Sequence, residues 1–143
     1  MPRSAKPKRK YHPRPVVKPL NMRDHWVLEG DVHAALLAID HGQQMEEHLN
    51  ALAAHADLIR RLESAPFHAQ RQAQTIIRIL AEVMTRGSLQ ITELEQDAIR
   101  AAIKVTLPAL RTANNHAIER AAQAAWFAFN RDGGVVVDIG GAR

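Results

Sequence analysis

Apolar and polar residues follow one another along this chain with the three-to-four-residue period of an α-helix. The clearest apolar stripe lies between Pro66, which suits the first turn of a helix, and Gly87, which suits its end. The stripe predicts a helix in this interval. Its expected buried residues are Ala73, Ile76, Ile77, Leu80, Val83 and Met84.

Two apolar runs and a short cluster precede Pro66. Residues 20–30 form the cluster, which predicts a short helical turn ending at Gly30. Asp31 is expected to cap the first run, and from Met45 apolar positions step by four and three like a coiled-coil seam. Gly42 separates the runs, and the sequence leaves open whether they form one long helix or two. The seam comprises Met45, Leu49, Leu52, Ala56 and Ile59, and its helix is expected to end near Ser64.

Two more helices are predicted after Gly87. Thr92 and Glu95 are spaced as a capping box, in which each side chain accepts a hydrogen bond from the other residue's amide. Pro108 lacks an amide donor and is expected to kink or break this helix. Thr112, Asn114 or Asn115 can cap a last helix that ends at 132–134. The expected inward residues are Leu94, Ala98, Ala101, Ala102 and Val105, followed by Ile118, Ala121, Ala122, Ala125, Trp126 and Phe129.

The composition supports a fold made of helices. Apolar residues make up 46% of the 143-residue chain but aromatic residues only 4%, which favours closely packed helices over sheets. We predict an all-α protein, an antiparallel bundle of four or five helices behind a disordered, basic, proline-rich N-terminal arm. The expected divisions are the arm at 1–19, the helical domain at 20–132 and a tail at 133–143. The tail is either mobile or a strand that pairs with a partner.

The arm carries most of the functional signal. Residues 1–19 hold seven of the 19 Lys and Arg, five of the seven Pro and no acidic residue, giving +7. Residues 20–143 contain the other twelve cations and all 15 acidic residues, which gives them a net charge of −3. This segregation predicts that the arm contacts phosphates of DNA or RNA nonspecifically, while Tyr11 stacks on a base. The expected phosphate contacts are Arg3, Lys6, Lys8, Arg9, Lys10 and Arg14. An arm that binds an acidic protein partner, or one that only solubilises the chain, is compatible with the same residues.

Catalytic and metal-binding signatures are missing from the sequence. There is no cysteine, phosphate loop or nucleophile motif, so we predict no enzyme activity and no cofactor. Two pairs have metal-ligand spacing, His116 with Glu119 and Glu29 with His33, but neither is matched by a second pair. No metal site is therefore predicted.

Three histidines, His41, His48 and His55, are spaced by seven residues. On one helix this spacing separates neighbours by about 10.5 Å, too far to share one metal ion. We expect half-exposed histidines that flank the core. Polar layers that set bundle register, or a stripe that becomes charged near pH 6, are the alternatives.

An interface is predicted from aromatic residues near the end of the chain. Trp126 and Phe127 diverge by about 100° around a helix, so both cannot face one core. Together with the seam residues Met45, Leu49 and Leu52 they predict a homodimer interface, with burial inside the chain as the alternative.

Several segments resemble those of uncharacterised small proteins encoded by phages and prophages of Gram-negative bacteria. The segments are a KRKYHPRPV-like arm, VLEG and GSLQITELEQDAIRAAIKV followed by a break and a short last helix. The resemblance covers most of the chain and implies a mobile genetic element and a bacterial cytoplasm, while it transfers no functional residue. The expected cytoplasmic location also agrees with the lack of an export signal or a long apolar run.

The sequence therefore predicts a non-enzymatic helical protein that binds nucleic acid nonspecifically through its arm. The alternative is an adaptor or inhibitor that binds a host or phage protein through its helical body.

Overall fold

A computed structural model describes residues 22–132, of which the side chains of 22–26, 129 and 132 are not described. The expectations for the arm and for the C-terminal tail lie outside these residues. The described part is a bundle of five helices without a strand, which confirms the predicted all-α fold. The helices are α1 (Met22–Asp40), α2 (Glu46–Arg61), α3 (Phe67–Arg86), α4 (Glu93–Thr112) and α5 (Asn115–Asp132).

Helix α2 lies at the centre of this bundle, where it contacts each of the other four helices. Its seam residues Leu49, Leu52, Ala56 and Ile59 have no exposed surface. Helix α4 packs on α3 and contacts α1. Because α2 is surrounded by other helices, it buries residues on more than one side.

Helix α3 confirms the stripe that the sequence predicted. Ala73, Ile76, Ile77, Leu80 and Val83 are fully buried, and Met84 is half-buried. The helix follows Pro66 in an extended conformation and ends at Gly87, whose φ of +79° is left-handed. Gly87 therefore ends the helix as expected, whereas Pro66 is the N-cap residue before the first turn and not part of that turn.

Helix α1 corrects the prediction of a turn that ends at Gly30. The helix continues through Gly30 and Asp31 to Asp40, so Asp31 caps nothing. Its packed residues Leu28, Val32, Ala35 and Ile39 step by four, three and four, and their burial outweighs the roughly 1 kcal/mol cost of a helical glycine.

The chain turns at Gly42, with φ +67°. Helix α1 ends two residues before Gly42, and α2 begins four residues after it. The question that the sequence left open at this glycine is thereby answered in favour of two helices.

Helix α4 confirms its capping box and part of its predicted inward face, since Ala102 is fully buried and Val105 packs against the core. Thr92 Oγ1 accepts from the Glu95 amide at 3.1 Å, and Glu95 Oε1 accepts from the Thr92 amide at 3.0 Å. Leu94, predicted to face inward, is 80% exposed, and Ala101 is also exposed. The helix rotates so that larger side chains are buried, because burial scales with apolar area. The buried residues are Ile99, Ala102, Ile103, Thr106, Leu107, Ala109 and Leu110.

Of the kink or break predicted at Pro108, the break does not occur. Helix α4 runs through Pro108 to Thr112. Pro108 and Lys104, whose carbonyl loses its usual donor, are both exposed, so water can satisfy that carbonyl.

Helix α5 is capped by one of the expected residues, and its first half packs against the core. Asn114 Oδ1 accepts from the Ala117 amide at 2.8 Å. Ala117, Ile118 and Ala121 are buried, whereas Ala122, predicted to face inward, is exposed. The principal contact of α5 is with α2. The second half of α5 is consequently less covered than the first.

Candidate functional site

The predicted arm contacts, Arg3, Lys6, Lys8, Arg9, Lys10, Tyr11 and Arg14, lie outside the described residues. They precede Met22, where α1 begins. The described residues show instead how the positive charges of the helical body are paired.

Most arginines of the described body are neutralised by carboxylates. Six arginines take part in ion pairs, several of which join different helices. The pairs are Arg60 and Arg61 with Asp57, Arg86 with Glu95, Arg100 with Asp40, Arg111 with Glu29, and Arg120 with Glu63. These guanidinium groups are already occupied within the fold.

The Arg86–Glu95 pair shows how this pairing joins the elements. Both guanidinium NH groups of Arg86 donate to Glu95 at 2.8 Å, which connects the end of α3 to the capping box of α4. The hydrogen bonds from Arg86, followed by that from the Thr92 amide, lower the pKa of Glu95 to about 2. The Arg100 hydrogen bond likewise lowers the pKa of Asp40.

Helix α3 differs from this pattern on its outer face. Arg71 and Arg78 have no carboxylate partner among the described side chains. The Arg71 guanidinium carbon lies 5.7 Å from the centre of the Phe67 ring, which is a cation–π contact. Phe67 itself is 73% exposed. We define the α3 ridge as Phe67, Arg71, Gln74 and Arg78.

Sequence reasoning missed the α3 ridge, although a signal for it was present. Its residues step by four, three and four, which is the spacing of one helix face, opposite the predicted apolar stripe. His68, Gln72 and Thr75 border Arg71, Gln74 and Arg78 on one continuous surface.

The three evenly spaced histidines occupy three different environments. His41 follows α1 and is exposed, with Nδ1 2.9 Å from the Leu37 carbonyl. His48 belongs to the first turn of α2, where Nδ1 accepts from the Met45 amide at 2.9 Å. The turn at Gly42 separates His41 from the others, so the three do not form one line on one helix.

His55 is buried, which corrects the expectation that it is half-exposed. Its Nε2 lies 2.8 Å from Thr106 Oγ1 on α4. Burial lowers the pKa of His55 to about 4 because the charged ring would lose its hydration. The ring is therefore neutral at pH 7 and serves as a polar contact inside the bundle.

The two metal candidates do not develop into a site within residues 22–132. Glu29 is engaged by Arg111, at 3.0 Å, and His116 is exposed. No group of three or more potential ligands comes together among the described residues.

The predicted interface residues separate into two groups. Leu49 and Leu52 are fully buried in the chain's own core, so their assignment to a subunit interface was wrong. Met45, Trp126 and Phe127 are 51%, 40% and 42% exposed. Their role in an interface stays a prediction.

The described residues define a five-helix all-α protein whose central helix is α2. No described helix has both the length and the apolar character needed to cross a membrane. Comparisons of the chain with models of protein families, with curated proteins and with solved structures found no match.

Proposed function

We propose that this chain is a non-enzymatic protein that binds nucleic acid nonspecifically through residues 1–19. Arg3, Lys6, Lys8, Arg9, Lys10 and Arg14 contact phosphates, and Tyr11 stacks on a base. The phage or prophage setting and the bacterial cytoplasm belong to this proposal.

The observation that carries the proposal is the separation, along the sequence, of a cationic arm without acidic residues from a body whose arginines are mostly neutralised. The arm has seven cations and no acidic residue, whereas six arginines of the body are bound to carboxylates. Binding of a phosphate backbone releases condensed counterions when it meets cations that are free to pair. The sequence of the arm meets this requirement better than the body does.

Deletion of residues 1–19 tests the proposal. We expect affinity for duplex DNA, single-stranded DNA and RNA to fall, measured by fluorescence anisotropy between about 50 and 300 mM salt. The arm should account for about 5 of the log–log salt slope on duplex DNA, because each of its six phosphate contacts contributes about 0.9. A full-length control with the arm cations replaced by Gln separates charge from chain length. Unchanged affinity after both alterations would overturn the proposal.

An adaptor or inhibitor that binds a host or phage protein through the helical body is the second candidate function. It is favoured by α5, where Trp126 and Phe127 are 40% and 42% exposed and where the principal helix contact is with α2. An apolar surface of this kind is typical of a protein interface. A specific partner retained by the arm-deleted chain would support this candidate.

Homodimer formation through Met45, Trp126 and Phe127 belongs to the same proposal about the body. Mass measurement by light scattering across protein concentrations tests it. We expect a dimer that Trp126→Ser and Phe127→Ser weaken, while Leu94→Ser, at a residue 80% exposed on α4, leaves it unchanged. A monomer at every concentration would contradict the homodimer.

A further inference from the structure

We propose that the α3 ridge, formed by Phe67, Arg71, Gln74 and Arg78, is a second nucleic-acid contact, selective for single strands. The ridge would bind nucleic acid in addition to the arm. The inference rests on the proposed function only in that both surfaces bind the same strand.

The charge of the ridge is available for binding. Arg71 and Arg78 make no ion pair with a described carboxylate, in contrast to the six paired arginines of the body. The sequence contains no Asp or Glu between Glu63 and Glu82. A phosphate near Arg71 would therefore meet no local repulsion from this segment, whereas Glu82 shares a surface with Arg78. At neither arginine would a phosphate have to displace a bound carboxylate.

The helix holds the ridge in a fixed geometry. The opposite face of α3 is locked into the core through Ala73, Ile76 and Ile77, all with no exposed surface. The ridge spans twelve residues, and its eleven steps of 1.5 Å make it about 16.5 Å long. That length matches about five stacked nucleotides at 3.4 Å each. A strand that follows the ridge can reach both arginines.

The exposed ring determines the expected selectivity. Phe67 keeps 73% of its surface exposed beside a guanidinium, and unpaired bases stack on aromatic rings or on arginine planes. Bases in a duplex are already stacked on one another and offer no free face. The ring therefore favours single-stranded DNA or RNA, while the two arginines alone would accept any phosphate chain.

Neighbouring polar groups extend the surface around Arg71 and Gln74, and the residues that line it there include no carboxylate. Gln74 lies between the two arginines on the ridge, and Thr75 borders it. The Thr75 hydroxyl donates to the Arg71 carbonyl at 3.2 Å, so it is engaged within the helix. Gln74 offers an amide donor and an acceptor to a sugar or base edge. No base specificity is expected from a single amide.

Two full-length variants test the ridge against oligothymidylate, oligouridylate and a duplex. We expect Phe67→Ala to weaken binding of both single strands about fivefold to a hundredfold, the range for loss of one stacked base, and to leave duplex binding nearly unchanged. The double variant Arg71→Gln with Arg78→Gln should reduce the single-strand salt slope by about 1.4. The matched controls are Leu94→Ala, an exposed apolar residue on α4, and Lys104→Gln, an exposed cation on α4.

The outcomes separate this inference from the proposed function. Ridge variants that bind like the controls overturn the ridge, even if deletion of residues 1–19 abolishes binding. Ridge variants that lose single-strand affinity while deletion of the arm changes nothing overturn the arm and leave the ridge standing. Equal losses of affinity for duplex and for single strands in Phe67→Ala would overturn the selectivity.

A competition experiment distinguishes nucleic acid from an acidic protein. Competition by polyglutamate as strong as that by oligothymidylate would indicate an acidic protein ligand and would also overturn the inference. Circular dichroism confirms that each variant is folded.

Discussion

His55 Nε2 on α2 lies 2.8 Å from Thr106 Oγ1 on α4, and both side chains are buried. The threonine hydroxyl lies 3.4 Å from the Ile103 carbonyl, to which it can donate. The ring then donates from Nε2 to the hydroxyl oxygen. This hydrogen bond places a neutral imidazole between the central helix and one of its neighbours.

Acidification is expected to destabilise the fold through His55. Burial lowers the pKa of this ring to about 4 from an ordinary value of 6.5. Between those values the unfolded chain takes up a proton that the folded chain does not, so stability present above pH 6.5 is lost as the pH falls toward 4. The loss is of the order of 3 kcal/mol. Urea unfolding at a series of pH values measures it.

The variant His55→Gln identifies the residue responsible for this pH dependence. Its free energy of unfolding should fall less steeply between about pH 6.5 and 5 than that of the native chain. Lys104→Gln, at an exposed position on α4, should retain the native slope. Identical slopes for His55→Gln and the native chain would show that the buried ring does not govern acid stability.

The contact between His55 and Thr106 should appear as an energetic coupling. Thr106→Val removes the acceptor but keeps the shape, which leaves the ring N–H without its partner and should cost about 1–3 kcal/mol. The cost should be smaller when His55 is already Leu, because no donor then remains to be satisfied. Denaturant unfolding of the two single variants and the double variant measures the coupling. Additive costs would mean that the hydrogen bond contributes nothing to stability.

The sequence predicted the features that depend on local spacing and capping. The stripe of α3, its end at Gly87 and the Thr92–Glu95 box are confirmed because each requires only neighbouring residues. The predicted face of α4 was wrong in part because its sequence offers more than one apolar stripe. Packing on α3 selected the one containing Ile99 and Ile103. Choices of this kind depend on neighbours that the helix sequence does not contain.

The functional surfaces were predictable to different degrees. The arm is visible from charge alone, and its role stays a prediction. The spacing of the α3 ridge can be read from the sequence, but only the ion pairs of the body distinguish Arg71 and Arg78 from arginines such as Arg86. Charge counting along the chain treats all of these residues alike. The burial of His55 likewise required the position of α4.

Alanine substitution is expected to destabilise the fold at two glycines and to stabilise it at a third. Gly42 and Gly87 have φ of +67° and +79°, and an added Cβ at either position would meet no atom within 4 Å. Alanine there should cost about 1–2 kcal/mol through the left-handed backbone alone. Gly30 lies inside α1 with equally open space, so Gly30→Ala should stabilise the fold by about 0.5–1 kcal/mol. Thermal and urea unfolding of the three variants measure these differences.

The matched control is Gly87→Asn. Asparagine tolerates the left-handed region better than alanine, so this variant should lose less stability than Gly87→Ala. A loss of stability in Gly30→Ala equal to that in Gly87→Ala would contradict a continuous α1 through that position.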